Sequence, residues 1–293
     1  MNIKDQKYIN ENPIDYVKIL KALDRFPQDV FNTIYKIIKL YVPDEIFKYY
    51  SLTDNENLNN LKFSTLENRE IHLSNARDFN DPFDNRSYYF DVERLKKYKF
   101  GYFFGEGFVK ENINKTRLAS FSKSGVNNLP MWAHYSNNHQ GYCVSYSTDL
   151  AKNPELSPSL FPVQYLEKRI DVTTYFIGFL RSIEENYEQA IKEKQDKILI
   201  DNLMLLWVLI LSCYIKEEKW EYEQEFRVMK PTNVSRPEYM KANPSAIYIG
   251  DKCKDEHIFR LVNIAFTLNI PVYKMEMNLT SFDFQLVPKQ IYI

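Results

Sequence analysis

Residues 14–41 (IDYVKILKALDRFPQDVFNTIYKIIKLY) place apolar side chains at helical spacing, and Pro27 with Asp29 can open a second helix, so a helical start is expected. After Pro43 the period changes. EIFKYYSLT reads as a short aromatic strand, followed by a helix from near Asp54, a strand at Glu70–Ser74 and a polar turn through Asn80, Asp81 and Pro82. Residues 92–117 fit either helix or loop. RLASFSKS (117–124) predicts a strand, NLPMWAHYSNNHQ a helix entered through Pro130, and GYCVSYST a strand starting at Gly141. Two helices are expected over 172–194 and about 196–216, the second mostly buried. Residues 222–230 then alternate: Tyr222, Gln224, Phe226 and Val228 on one parity, Glu223, Glu225 and Arg227 on the other. Successive strand side chains point to opposite faces, so the three charged residues are expected in one row. AIYIG (246–250), DEHIFRLVNIAF, PVYKMEM and FDFQLV read as strand, helix, strand and strand.

Strands and helices mix without a regular βαβ period, which predicts an α+β fold with a mixed sheet rather than a doubly wound one. No repeat or low-complexity linker divides the chain. The simplest organisation is a helical N-terminal segment over 1–45 and one α+β domain over 46–293, the helices of 172–216 forming a two-helix insertion.

Composition narrows the classes. With 38 Lys+Arg against 39 Asp+Glu the net charge is −1, so no global positive field draws the chain to nucleic acid or an anionic membrane. Cys143, Cys213 and Cys253 are widely spaced, which argues against a disulfide framework and fits a reducing, cytoplasmic setting. The N-terminus is too polar for a secretory apolar region. The most apolar run, LMLLWVLILSCYI at 203–215, is shorter than the ~20 residues that span a bilayer. No membrane association is expected.

The common nucleotide-loop, zinc and serine-hydrolase signatures are absent. His72, His134, His139 and His257 have no cysteine or carboxylate at metal spacing, and His134 and His139 are slightly off one helical face, so no metal is expected. Trp132, His134 and Tyr135 offer an indole, an imidazole and a phenol within one helical turn, for ligand binding or simply for packing. Asn80 and Asp81 either hold a turn locally or face a cleft. Glu223, Glu225 and Arg227, following Lys216 and Trp220, form either a solvated strand face or the charged wall of a site.

Together FKYYSLTDNENLNNL (47–61), IHLSNARDFNDPFDN (71–85), ASFSKS (119–124), MWAHYSNNHQGYCVSY (131–146) and KEEKWEYEQEFRV (216–228) resemble the bacterial domain-of-unknown-function family 2971 across roughly residues 46–290. More remotely, the order of an aromatic first strand, a strand ending in a polar Pro turn and a late strand bearing Glu-x-Glu is similar to the ADP-ribosyltransferase fold. That resemblance implies a split sheet gripping NAD, with a late Glu on the nicotinamide ribose. Glu225 or Glu223 and the Tyr50–Ser51 region match it, while the early position holds Lys48 or Tyr49 where those enzymes carry His or Arg.

The expected function is therefore an NAD-using ADP-ribosyltransferase-like enzyme, a toxin or phage-defence effector with a nucleic-acid or protein acceptor and an antitoxin or immunity partner. Glu225 would stabilise the transition state and Glu223 would orient the acceptor. Arg227 and Lys216 would manage pyrophosphate or the acid charges, and Trp132, His134 and Tyr135 would meet nicotinamide or a target base. The alternatives are a nucleotide or single-stranded nucleic-acid binding module and a nucleotide-directed hydrolase using the same two carboxylates.

Overall fold

A computed structural model describes residues 9, 12–19, 29–103, 106–198, 210–233 and 236–292. Pro27 and the 199–209 part of the expected second insertion helix lie outside the described residues. In chain order the strands are β1 Glu45–Tyr50, β2 Glu70–Asn75, β3 Tyr88–Tyr89, β4 Thr116–Ser122, β5 Tyr142–Ser147, β6 Leu160–Pro162, β7 Gln164–Leu166 and β8 Ile170–Asp171. There follow β9 Ile215–Glu217, β10 Glu225–Pro231, β11 Glu238–Lys241, β12 Pro244–Ile249, β13 Val272–Met277 and β14 Leu286–Tyr292. The fold is α+β on an open mixed sheet. Its order is β11-β2-β4-β1-β5-β12-β13-β14, with β10 on β4 and β6 on β10; β12 and β13 run parallel, the other pairs antiparallel.

One face of this sheet carries the main core. Ile46, Ile71, Leu73, Phe121, Val144, Phe226 and Val228 pack there with Phe63 and Leu66 of the helix Glu56–Glu67 and Leu261 and Ile264 of the helix Asp255–Leu268. Asn55 caps the first of these helices, its side chain accepting from the Leu58 amide. A second core joins Tyr16 and Ile38 to Phe176 and Leu180 of the helix Thr173–Lys192 and to Cys213–Ile215. No helix among the described residues is long and apolar enough to cross a membrane.

Three boundaries differ from expectation. Residues Glu218–Glu223 form a 3-10 turn and Gln224 takes a left-handed conformation at φ 45°, so the late strand begins at Glu225, not at 222. Ile215 and Lys216 belong to β9, which pairs in parallel with β7, and not to a helix. The last strand is Leu286–Tyr292; Phe282 and Phe284 stand exposed in the loop before it, because pairing with β13 begins only at Leu286.

The feature that positions the site is the edge of β4. Along one edge β4 is paired with β10 throughout, Glu225 opposite Ser122 to Pro231 opposite Thr116. The other edge is divided. Arg117 and Leu118 pair with β2, Ser122 pairs with Phe47 of β1, and residues 119–121 between them have no partner strand. The sheet is parted there. Lys48 bridges the gap, its Nζ donating to the Ser120 carbonyl at 3.2 Å, and so satisfies a ladder acceptor that no neighbouring strand reaches.

Candidate functional site

A pocket of about 230 Å³ opens at this parting, lined by Lys48 and Tyr49 of β1, Ser120–Ser122 of β4, Phe79–Asp81 and Asp84 of the polar loop, Tyr135, Lys216, Trp220, Glu223 and Glu225. The loop is built locally: the Asp81 side chain accepts from the Phe83 amide at 2.8 Å, a turn of the kind an Asn-Asp-Pro string favours. The helix Leu129–Tyr135 starts at a capping Asn128 with Pro130 in its first turn, and it delivers Tyr135 to the pocket from its last residue.

The floor is an alternating chain of buried charges. Tyr135 donates its hydroxyl to Glu223 Oε1. Lys216 Nζ meets Glu223 Oε2 at 2.6 Å and Glu225 Oε2 at 3.4 Å. Arg227 then binds Glu225 through Nε at 2.7 Å and Nη2 at 2.9 Å, and its outer nitrogens fork onto Asp84. Three carboxylates thus share two cations, so full ionisation would leave one net negative charge out of water. A single proton relieves it.

The proton belongs to Glu223. Burial and the Glu225 charge push its pKa up to about 7, against the pull of Lys216 and Tyr135. Burial alone would also raise Glu225, but Arg227 and Lys216 outweigh it and hold that carboxyl at about 2. Burial would lower Lys216, and Glu225 with the neighbouring acids reverses this and raises it. Lys48, desolvated in the parting and only partly compensated by Glu225, falls to about 8. The pocket therefore holds a fixed anion, a carboxyl poised near neutrality and a lysine that gives up its proton easily.

Of the residues singled out from sequence, Tyr49, Asn80, Asp81, Tyr135, Lys216, Glu223 and Glu225 line one pocket. The charged row is no solvated strand face: Glu223, Glu225 and Arg227 are all buried. Five expected residues do not line the pocket. Tyr50 stacks on Tyr142 at 4.8 Å between ring centroids, and Ser51 receives Lys62 through its carbonyl and hydroxyl. Trp132 is 0% exposed, with its indole nitrogen donating to the Val126 carbonyl, so no ligand can stack on it. His134 points elsewhere, to the Tyr222 hydroxyl at 2.9 Å, while His139 stacks on Trp132. Arg227 lies behind the carboxylates with its donors taken by Glu225, Asp84 and the Cys213 carbonyl, which leaves none for a pyrophosphate.

Asp84, Ser120 and Ser122 were not expected. Asp84 could have been found from the demand that a buried strand arginine find an acid. Trp220 takes the aromatic place foreseen for Trp132: it lines the pocket, with Lys216 Nζ 4.8 Å from its ring centroid.

Residues 131–228 match the family described as "Protein of unknown function (DUF2971)". The match is narrower than the 46–290 stretch over which the resembling strings are spread. It runs from the helix bearing Tyr135 to Val228, just past Arg227, and the two ends of the matched segment meet through Tyr135–Glu223 at the pocket and through His134–Tyr222 away from its lining. Lys48 and Asp84 lie outside it. No curated protein and no solved structure matches the chain.

Proposed function

We propose that this pocket transfers a glycosyl group from a nucleotide, with NAD as donor, in the manner of an ADP-ribosyltransferase. The observation that carries the reading is a pair of carboxylates in one pocket with different partners: Glu225 is gripped by Arg227 and Lys216, while Glu223 meets Lys216 and the Tyr135 hydroxyl. Breaking an N-glycosidic bond builds positive charge on the sugar carbon, and a carboxylate that stays ionised faces that charge best. Glu225 supplies it. The bond's electron pair passes to the nicotinamide nitrogen, an acceptor oxygen or nitrogen bonds the sugar carbon, and Glu223 takes the acceptor's proton, for which a pKa near 7 is well matched.

The other lining groups take roles that fit their contacts. Trp220 offers an aromatic wall for the leaving ring, Asn80 and Asp81 offer hydrogen bonds to sugar hydroxyls, and Lys48 is the lining cation that forms no ion pair among the described residues. The parted β4 edge supports the expected split sheet. Acids outnumber cations in the lining, which favours a sugar and a cationic ring inside the pocket and phosphates outside it. The same imbalance weighs against a module that seats a nucleic-acid backbone there.

A hydrolytic variant has one specific support: water as acceptor would need only the same base, Glu223. In either case three free, buried cysteines fit a cytoplasmic enzyme, and consumption of NAD fits a toxin or phage-defence effector restrained by an immunity partner. The test is incubation of the full chain with NAD, alone and with DNA, RNA or cell protein, followed by mass analysis. ADP-ribose on an acceptor supports transfer, free ADP-ribose supports hydrolysis, and intact NAD under all conditions removes both.

A further inference from the structure

The carboxylate pocket has a neighbour on the other side of a two-stranded ribbon. β7 and β9 pair in parallel, with Gln164 opposite Ile215, Tyr165 opposite Lys216 and Leu166 opposite Glu217. Alternation puts Tyr165 and Lys216 on one face of the ribbon. Both reach the carboxylates, Lys216 through its ammonium and Tyr165 through its hydroxyl, which accepts from the Glu225 amide at 2.8 Å. Leu166, Ile215 and Glu217 belong to the other face, and there they line a second pocket of about 230 Å³ with Phe83, Lys168 and Arg169. Lys216 borders both pockets, and so does the polar loop, which gives Asn80, Asp81 and Asp84 to the first and Phe83 to the second.

The two pockets differ in charge. Acids outnumber Lys48 and Lys216 in the first lining. In the second, Lys168 and Arg169 stand against Glu167 and Glu217, and Glu217 is already paired with Lys219 at 2.7 Å. Lys168 pairs with no acid among the described residues. Arg169 is fixed by two backbone carbonyls, Nε donating to Arg86 at 2.8 Å and Nη2 to Tyr88, which leaves Nη1 free for a ligand on a side chain already ordered. A single exposed apolar side chain is ordinary, but Phe83, 56% exposed, lines a cavity beside Leu166 and two cations.

We infer that this second pocket seats the nucleoside diphosphate part of the donor, an inference that rests on the glycosyl-transfer reading. NAD joins a cationic ring, through a diphosphate, to a neutral purine. The acid-rich pocket suits the cationic ring, and the pocket beyond the ribbon suits the rest. Phosphate oxygens meet Lys168 and the free Nη1 of Arg169 in charge-assisted hydrogen bonds. The purine lies against Phe83 and Leu166, which offer an aromatic ring and an aliphatic side chain. A phosphate site made of side chains from a bend and a ribbon carries no glycine-loop signature in the sequence.

Calorimetric titration of the full chain with ADP, followed by displacement with NAD, tests the site without requiring turnover. The expected result is one equivalent of ADP bound and then displaced by NAD. Lys168→Glu and Phe83→Ser change exposed side chains, so both variants should keep the wild-type melting curve. The first should weaken ADP and NAD by about tenfold or more, the second by about fivefold or more. These results without any release of nicotinamide would remove the glycosyl-transfer reading and leave the nucleotide site standing. Nicotinamide release without ADP binding, or with equal ADP and NAD affinities in Lys168→Glu, would overturn the site and leave the transfer reading. ADP bound but not displaced by NAD would overturn the assignment to the donor.

Discussion

Arg227 grips Asp84 with two parallel hydrogen bonds, Nη1 to Oδ1 at 2.7 Å and Nη2 to Oδ2 at 2.8 Å, across 143 residues of sequence. A bidentate fork of this kind is directional as well as strong, and it fixes the polar loop against β10. Breaking a buried pair from one side strands the other charge, at a cost of roughly 3–5 kcal/mol. Asp84→Asn and Arg227→Met should each lower stability by that order in urea unfolding, with smaller loss in the double variant than the sum of the two.

Glu223 and Glu225 should respond differently to the same chemical change. Glutamine mimics a protonated carboxyl, the state Glu223 takes as pH falls below about 7. Glu223→Gln should therefore fold with stability within about 1 kcal/mol of wild type. Glu225→Gln removes the anion that both Lys216 and Arg227 require, and should lose about 3 kcal/mol or more. Equal denaturation midpoints for the two variants would contradict the assigned protonation.

The pH dependence follows from the same two shifts. Glu223 rises from its ordinary 4.5 to about 7 on folding, so the folded form binds the proton more tightly. Its contribution is complete below 4.5 and is lost as pH rises through about 7. Glu225 falls from 4.5 to about 2, so its contribution is present above 4.5 and is lost as pH falls through about 2. Stability governed by this pair should peak near pH 4.5, and Glu223→Gln should flatten the decline between 4.5 and 7. Urea midpoints measured across that range check both slopes.

Gly141 tests the join between the Tyr135 helix and β5. A Cβ there would lie 1.9 Å from the Tyr50 carbonyl oxygen and 3.0 Å from that of Ser136, both backbone atoms with little room to move. Gly141→Ala should cost about 1–3 kcal/mol in thermal unfolding.

Much of this was legible in the sequence, and the misses have physical causes. Periodicity located β1, β2, β4 and the helices at 56–67 and 255–268, because one face of each packs on the core. Alternation alone starts the late strand three residues early, since Tyr222 and Glu223 continue the pattern while Gln224 breaks the backbone with a left-handed turn. A side-chain pattern cannot report that. Glu223 nevertheless joins Glu225, because Lys216 gathers both carboxylates. Trp132 and His134 were misplaced for a different reason: residue type shows what a side chain can do, but a short helix turns only part of its circumference to the pocket. Met131 and Tyr135 are the residues it presents, and Asp84 enters through a contact no local pattern contains.

In the proposed mechanism Glu223 is the reacting base of a glycosyl-transfer pocket rather than a structural member of a charge cluster. The deciding measurement is nicotinamide release from NAD by the full chain, compared between wild type and Glu223→Gln with the variant's fold confirmed by its melting curve. The expected result is release by the wild type that increases as pH rises through about 7, and a loss of roughly 10²-fold or more in Glu223→Gln. Release at wild-type rate by a folded Glu223→Gln, or none by the wild type at any pH with any acceptor, would contradict it.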